Sequence, residues 1–313
     1  MLPEVQTWLR ERTTSAADWP VEALAEAKGD TTVSVVLPAR DEAGTVGHIV
    51  SVIRSELDGL VDEVVVIDSC STDDTAAVAA RAGAAVHAQD AILPHLPPLD
   101  GKGEALWKSL AVTSGDIVAF VDADIRGFRS CLVSGLLGPL LTDDRIAYTK
   151  GCYDRPLDGV PAGGGRVTEL VARPLINLHW PELAGFVQPL AGEYAGRRTA
   201  LERVPFLTRY GVEIGLLVDL LDLVGLDGLA QVDLGTREHA PQSVEALGSM
   251  SAQIMLAAYS RLRRQGRLGP CHDLSCVLTQ FRRDGDGHRA VCSDVSIAER
   301  PPMATVREII ASR

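Results

Sequence analysis

Over the first 125 positions, short β-branched and aliphatic runs alternate with longer amphipathic stretches. Thr32 to Leu37, Val61 to Asp68, Ala84 to Ala88 and the run opening at Asp116 predict strands. Helical patterns fall between them: Pro20 to Lys28, closed by Gly29, then Thr45 to Leu57, Ala76 to Ala82 and Gly101 to Leu110. Ser71 or Thr72 is placed to cap the third of these. Strands and helices in this alternation predict an α/β fold built on a mostly parallel, doubly wound sheet. Further on, Leu229 to Leu234 reads as another strand, Gly211 to Val224 as a core helix, and Leu247 to Leu262 as an amphipathic helix followed by a basic segment to Arg267.

Polar residues are concentrated where the strands stop. Asp41 and Glu42 follow the first strand, Asp68 and Ser69 the second, and Asp122-Ala-Asp124 closes the fourth. In a parallel sheet these carboxyl ends lie side by side, so residues far apart in sequence face one crevice. Asp122 and Asp124 are spaced i, i+2 and share a face of an extended chain, where they can serve a hard cation, or a cation and a ribose. In isolation, solvated acids at a strand end would look the same; the other strand ends tip the balance.

The chain has 313 residues, 46% of them hydrophobic and 23% charged, enough to bury a full core. Its 30 basic residues against 42 acidic ones give a net charge of −12, which argues against nucleic-acid or anionic-membrane partners. An anionic ligand would need local basic residues or a metal. No apolar run is long enough to span a bilayer, the N-terminus lacks a secretory pattern, and the six cysteines are scattered without metal-site spacing; the expected setting is the cytoplasm.

The turn after the first strand, Pro38-Ala-Arg-Asp-Glu42, is neither a dinucleotide fingerprint nor a P-loop. Gly101-Lys102-Gly103 opens a helix just before the acid-terminated strand, where Lys102 can face a diphosphate. Gly163-Gly-Gly-Arg166-Val-Thr168 also opens a helix; close backbone approach, first-turn N–H groups, Arg166 and Thr168 make it a candidate anion site. A flexible loop before a capped helix is the alternative.

Together Val33 to Glu42, Asp68 to Thr75, Gly101 to Trp107, Asp122 to Asp124, Gly163 to Pro174, Gln188 to Tyr194, Tyr210 to Gly215 and Arg237-Glu-His239 resemble the GT-A glycosyltransferases. More narrowly, the chain is similar to actinobacterial glucosyl-3-phosphoglycerate synthases, retaining enzymes that use UDP-glucose and a divalent cation. The resemblance implies that Pro38, Ala39, Arg40, Glu42 and Ser69 line the uridine pocket, that Lys102 faces the diphosphate, and that Asp122 with Ala123 sits at the ribose. It implies Asp124 and His239 as ligands of Mg²⁺ or Mn²⁺, and Arg237 beside them. Glu213 and Tyr210 would meet the donor sugar, the Leu190 backbone the anomeric carbon, and Gly165, Arg166, Val167 and Thr168 the acceptor phosphate. Glu193 and Glu213 are the acids a covalent mechanism would need, but the resemblance favours reaction on one face of the sugar. A homodimer is implied as well.

The resemblance implies three segments: residues 1–30 as a helical extension, 31–150 as the nucleotide-sugar half and 151–313 as the acceptor half with the tail. Departures from the pattern are Arg40-Asp41 where the family has Leu-Asn, a shortened stretch around 154–162, and Pro241 where the family has an asparagine that helps hold the acceptor phosphate. Proline brings no side-chain donor, so another small anionic or hydroxylated acceptor stays open beside 3-phosphoglycerate, as does mannosyl transfer from GDP-mannose. A sugar-1-phosphate nucleotidyltransferase and a silent sugar-nucleotide-binding module are the readings of other classes.

Overall fold

The structure, a computed structural model, describes residues 1–156, 165–237, 242–269, 274–284 and 287–312. Its centre is an eight-stranded sheet of β1 (Thr13–Ser15), β2 (Val33–Ala39), β3 (Glu63–Asp68), β4 (Ala85–Ala88), β5 (Ile117–Phe120), β6 (Tyr148–Asp154), β7 (Tyr194–Arg197) and β9 (Leu229–Thr236). The strand order is β1-β9-β6-β7-β5-β2-β3-β4. Two short sheets pair β8 (Phe206–Leu207) with β12 (Glu299–Arg300) and β10 (Val277–Asp284) with β11 (Gly287–Asp294).

The parallel order expected for the first half holds in β5-β2-β3-β4. Within the large sheet, β7 departs from it, running antiparallel between β5 and β6. Strand residues alternate between two cores. Val35 and Leu37 pack with Ile49 and Ile53 from the helix Val46–Glu56 and with Leu136 from the helix Cys131–Thr142. Val36 faces the other way, toward Leu106 and Trp107 of the helix Lys102–Val112 and Leu216 of the helix Val212–Val224. Among the described residues no helix is long and apolar enough to cross a membrane.

Two local expectations change. The helix Thr75–Arg81 is not capped by Ser71 or Thr72: Asp74 occupies its N-cap position without a side-chain cap. Ser71 Oγ instead accepts from the Asp41 N–H at 3.0 Å, and Thr72 donates to Asp41 Oδ1 from its N–H at 2.6 Å and its hydroxyl at 3.0 Å. The loops after β2 and β3 are thereby clamped to each other. The helix after Gly165 also differs, since Thr168–Ala172 is a π-helical turn before the α-helix Arg173–His179, a form of helix often found at functional sites.

Candidate active site

The carboxyl ends of β2, β3 and β5 open into a cleft of about 720 Å³. Pro38, Ala39, Arg40 and Glu42 come from β2 and its loop, Ser69 from the loop after β3, and Asp122, Ala123 and Asp124 from the end of β5. Lys102 enters on the first residue of its helix, behind Gly101 at φ 94°. Leu190, Tyr210, Glu213 and Arg237 stand opposite, and Gly165, Arg166, Val167 and Thr168 close one end. His239 and Pro241 lie outside the described residues.

Asp122 and Asp124 have different surroundings. Asp122 is held on one oxygen by Lys102 and on the other by Arg237 Nη1 at 3.3 Å. Although burial acts against its charged form, Lys102 and Arg237 hold its carboxyl well below the usual range. The Asp124 side chain is 57% exposed, and Arg237 Nη2 donates to its Oδ1 at 2.8 Å. Of the pair, Asp124 is therefore the carboxylate open to a cation. Hard oxygen donors suit Mg²⁺ or Mn²⁺, and a single carboxylate suits a site whose remaining ligands come from phosphate and water.

Lys102 also lies 3.2 Å from Glu213 Oε1. Burial is the largest single influence on Lys102 and acts to lower its pKa, but Asp122 and Glu213 together outweigh it, raise the pKa and keep the ammonium charged. Burial, and then the charge of Asp124, push Glu42 up. Glu193 has no exposed surface and does not line the cleft; its carboxylate anchors Arg237 from behind. At the other end Gly165 has φ +78°, Glu169 N–H donates to its carbonyl at 3.1 Å, and Arg166 donates to the Gln242 carbonyl at 3.0 Å.

Sequence reasoning missed several neighbours. Arg155, Arg209, Gly192, Gln242, Met250 and Gln253 also line the cleft. Arg209 holds a left-handed φ of 56°, and Gln253 accepts from the Tyr210 N–H at 3.2 Å. Lys150, fully buried on β6, donates to the Ala191 carbonyl at 2.9 Å and so fixes the loop that carries Leu190. The strand around it, Tyr148-Thr-Lys-Gly-Cys-Tyr-Asp154, is neither apolar nor a motif and gave no signal. Six basic side chains line the cleft against four carboxylates, so its local balance is positive in an acidic chain.

Residues 34–154 match the glycosyl transferase family 2 model. That match and the sheet define a nucleotide-sugar-dependent glycosyltransferase of the GT-A class. The glucosyl-3-phosphoglycerate synthase of Mycolicibacterium smegmatis is 51% identical over 96% of this chain and 98% of its own. Among solved structures, mannosyl-3-phosphoglycerate synthase of Rubrobacter xylanophilus superposes with a TM-score of 0.91 at 41% identity, covering 96% of this chain and 98% of that one. Glucosyl-3-phosphoglycerate synthase of Mycobacterium tuberculosis, in complex with Mn²⁺, UDP and glucosyl-3-phosphoglycerate, gives 0.82 at 45%, covering 92% and 96%. The chain belongs to the glucosyl-3-phosphoglycerate synthase family.

Proposed function

We propose that this protein transfers glucose from UDP-glucose to the 2-hydroxyl of 3-phosphoglycerate with retention of configuration. The observation that carries the reading is the placement of Asp124, Lys102 and the Gly165–Thr168 turn in one cleft. Pro38 to Glu42 and Ser69 would take the uridine, Asp122 with Ala123 the ribose side, and Arg166 with Thr168 the acceptor phosphate. Asp124, with His239, would hold Mg²⁺ or Mn²⁺, which when bound supplies Lewis-acid stabilisation of the leaving diphosphate. Lys102 adds a fixed positive charge on the same side.

Two features support reaction on a single face of the sugar. Glu193 is sealed behind Arg237, away from any substrate, and Glu213 is paired with Lys102, which suits a hydrogen-bond acceptor for sugar hydroxyls better than a free nucleophile. The acceptor's proton then leaves with the diphosphate oxygen, and the protein's part is to hold both partners in line.

Residues 31–150 would form the donor half and 151–313 the acceptor half, with 1–30 an extension. Free cysteines at Cys70, Cys131, Cys152, Cys276 and Cys292 support a cytoplasmic setting. The family resemblance implies a homodimer, which sedimentation would test.

Mannosyl transfer from GDP-mannose is the second reading, favoured by the fit to the Rubrobacter enzyme. A donor-by-acceptor screen read by mass spectrometry tests both. UDP-, GDP- and ADP-sugars are offered with 3-phosphoglycerate, glycerate and other small phosphorylated acids. Glucosylphosphoglycerate formed from UDP-glucose with Mg²⁺ is the expected product; turnover of GDP-mannose alone would favour the second reading.

A further inference from the structure

Tyr153 and Arg155, at the end of β6, belong to no motif that the sequence singled out. The pairing of β6 with β9 is irregular between Cys152 and Asp154, the kind of break that re-aims a side chain beside a site. Tyr153 is 3% exposed, and its hydroxyl accepts two guanidiniums: Arg237 Nη1 at 3.0 Å and Arg155 Nη2 at 2.7 Å. Both stack near its ring, with guanidinium carbons 5.5 Å and 5.0 Å from the centroid. The Arg237 backbone N–H also donates to the Asp154 carbonyl at 3.0 Å, so the two arginines are fixed side by side.

Their charge environments are opposite. Arg237 meets Asp122, Asp124 and Glu193. Among the described residues no carboxylate pairs with Arg155; its Nε, like that of Arg237, is buried without a hydrogen-bond partner, and Arg155 lines the same cleft as Arg166 and Thr168. A part-buried guanidinium with one neutral partner and an orphan N–H is costly unless an anion meets it.

The acceptor of the proposed function has two anionic groups, and this inference rests on that reading. Gly165 to Thr168 suit the phosphate. The carboxylate is attached to the carbon that bears the reacting hydroxyl, so it must lie next to the reaction centre. Arg155 is the guanidinium tied to that side, through Tyr153 to Arg237 and on to Asp124. We propose that Arg155 binds the acceptor's carboxylate, with Tyr153 as the positioning residue that sets its guanidinium between the phosphate turn and Arg237. Arg155 offers the Nη hydrogens that Tyr153 does not take, charge-assisted donors suited to a carboxylate.

The test compares three acceptors: D-3-phosphoglycerate, sn-glycerol 3-phosphate, which lacks the carboxylate, and D-glycerate, which lacks the phosphate. In wild type the carboxylated phosphate ester should be preferred over glycerol 3-phosphate. Arg155→Gln should shrink that preference about 10- to 100-fold, the range of a lost charge-assisted hydrogen bond. Arg155→Lys should restore part of it, and Arg166→Gln should instead erode the preference over glycerate. Each preference is a ratio within one variant, so a partly folded preparation does not alter it. An unchanged ratio in Arg155→Gln overturns the assignment. Isothermal titration of the same three anions in the presence of UDP and Mg²⁺ reads the ratio without turnover. A wild type that binds them but transfers no glucose sinks the proposed activity and leaves Arg155 to be judged by binding; one that binds none overturns both.

Discussion

Arg237 donates to Asp124 across 2.8 Å, so the carboxylate best placed for a divalent cation already has a guanidinium on it. The same side chain reaches Asp122 and the sealed Glu193, which makes Arg237 the counter-charge of three acids. Cation and guanidinium must share Asp124 or compete for it. Asp124→Asn should weaken Mn²⁺ binding and cut turnover by more than the ~10- to 100-fold typical of changes that only support a ligand. Arg237→Gln should tighten Mn²⁺ binding in the absence of UDP while lowering kcat. It should also destabilise the fold by about 3–5 kcal/mol, because Glu193 would stay buried without its ion-pair partner. Manganese titration by electron paramagnetic resonance and thermal melts read both; looser Mn²⁺ binding in Arg237→Gln would rule out competition.

Gly192 shows how closely the loop after Leu190 approaches Asp122 and Lys102. A Cβ built there would lie 2.2 Å from Asp122 Oδ2 and 2.5 Å from Lys102 Nζ. Neither group is free to yield, since each is the other's ion-pair partner and Lys102 is also held by Glu213. Gly192→Ala should therefore cost roughly 1–3 kcal/mol of stability and weaken UDP binding with it. Calorimetric titration of UDP with Mg²⁺ is the measurement, and wild-type affinity would contradict the close approach.

The strand-end side of the cleft was legible because its signals are local. An apolar run ending in Asp122-Ala-Asp124 and a Gly-Lys-Gly helix start each announce a backbone geometry and a charge. The sheet then brings them together because β5, β2 and β3 are neighbours. Tyr153, Arg155 and Lys150 had no such signature. Their roles depend on β6 lying between β9 and β7, and on antiparallel β7 bringing Glu193 beside it, long-range pairings that periodicity does not encode. The Ser71 or Thr72 cap failed for a related reason: both side chains were taken by Asp41 from the neighbouring loop.

The C-terminal segment has a structural task that its sequence did not disclose. Arg300 donates through Nε to Glu104 Oε2 at 2.8 Å and through Nη2 to Glu104 Oε1 at 2.7 Å, and Glu104 is fully buried in the first turn of the helix that starts at Lys102. Lys108 lies 3.5 Å from the same carboxylate. Arg300→Ala should destabilise the protein by about 3–5 kcal/mol, the cost of stranding one member of a buried pair. It should also loosen UDP binding by letting the helix start shift. Chemical denaturation and UDP titration check the two effects; a loss under 1 kcal/mol would mean that Lys108 alone neutralises Glu104.

Lys150 supplies a pH dependence of stability with a definite sign. Its amine is fully buried, with the Ala191 carbonyl as acceptor and the Tyr194 ring centroid 4.6 Å away. Burial lowers its pKa to about 7 from an ordinary 10.5; Glu213 opposes the shift and Lys102 adds to it. Between those two values the unfolded chain binds the proton and the folded one does not, so stability rises with pH across that window. Below pH 7 the full cost of the buried charge is felt. The slope from this one group is at most about 1.4 kcal/mol per pH unit. Lys150→Met keeps most of the volume, loses the bond to Ala191 at a cost of about 1 kcal/mol, and removes the charge. Urea unfolding at pH 7 and pH 9 should therefore show wild type gaining stability between the two, and Lys150→Met lacking that gain. If the variant keeps the full slope, the titrating group lies elsewhere.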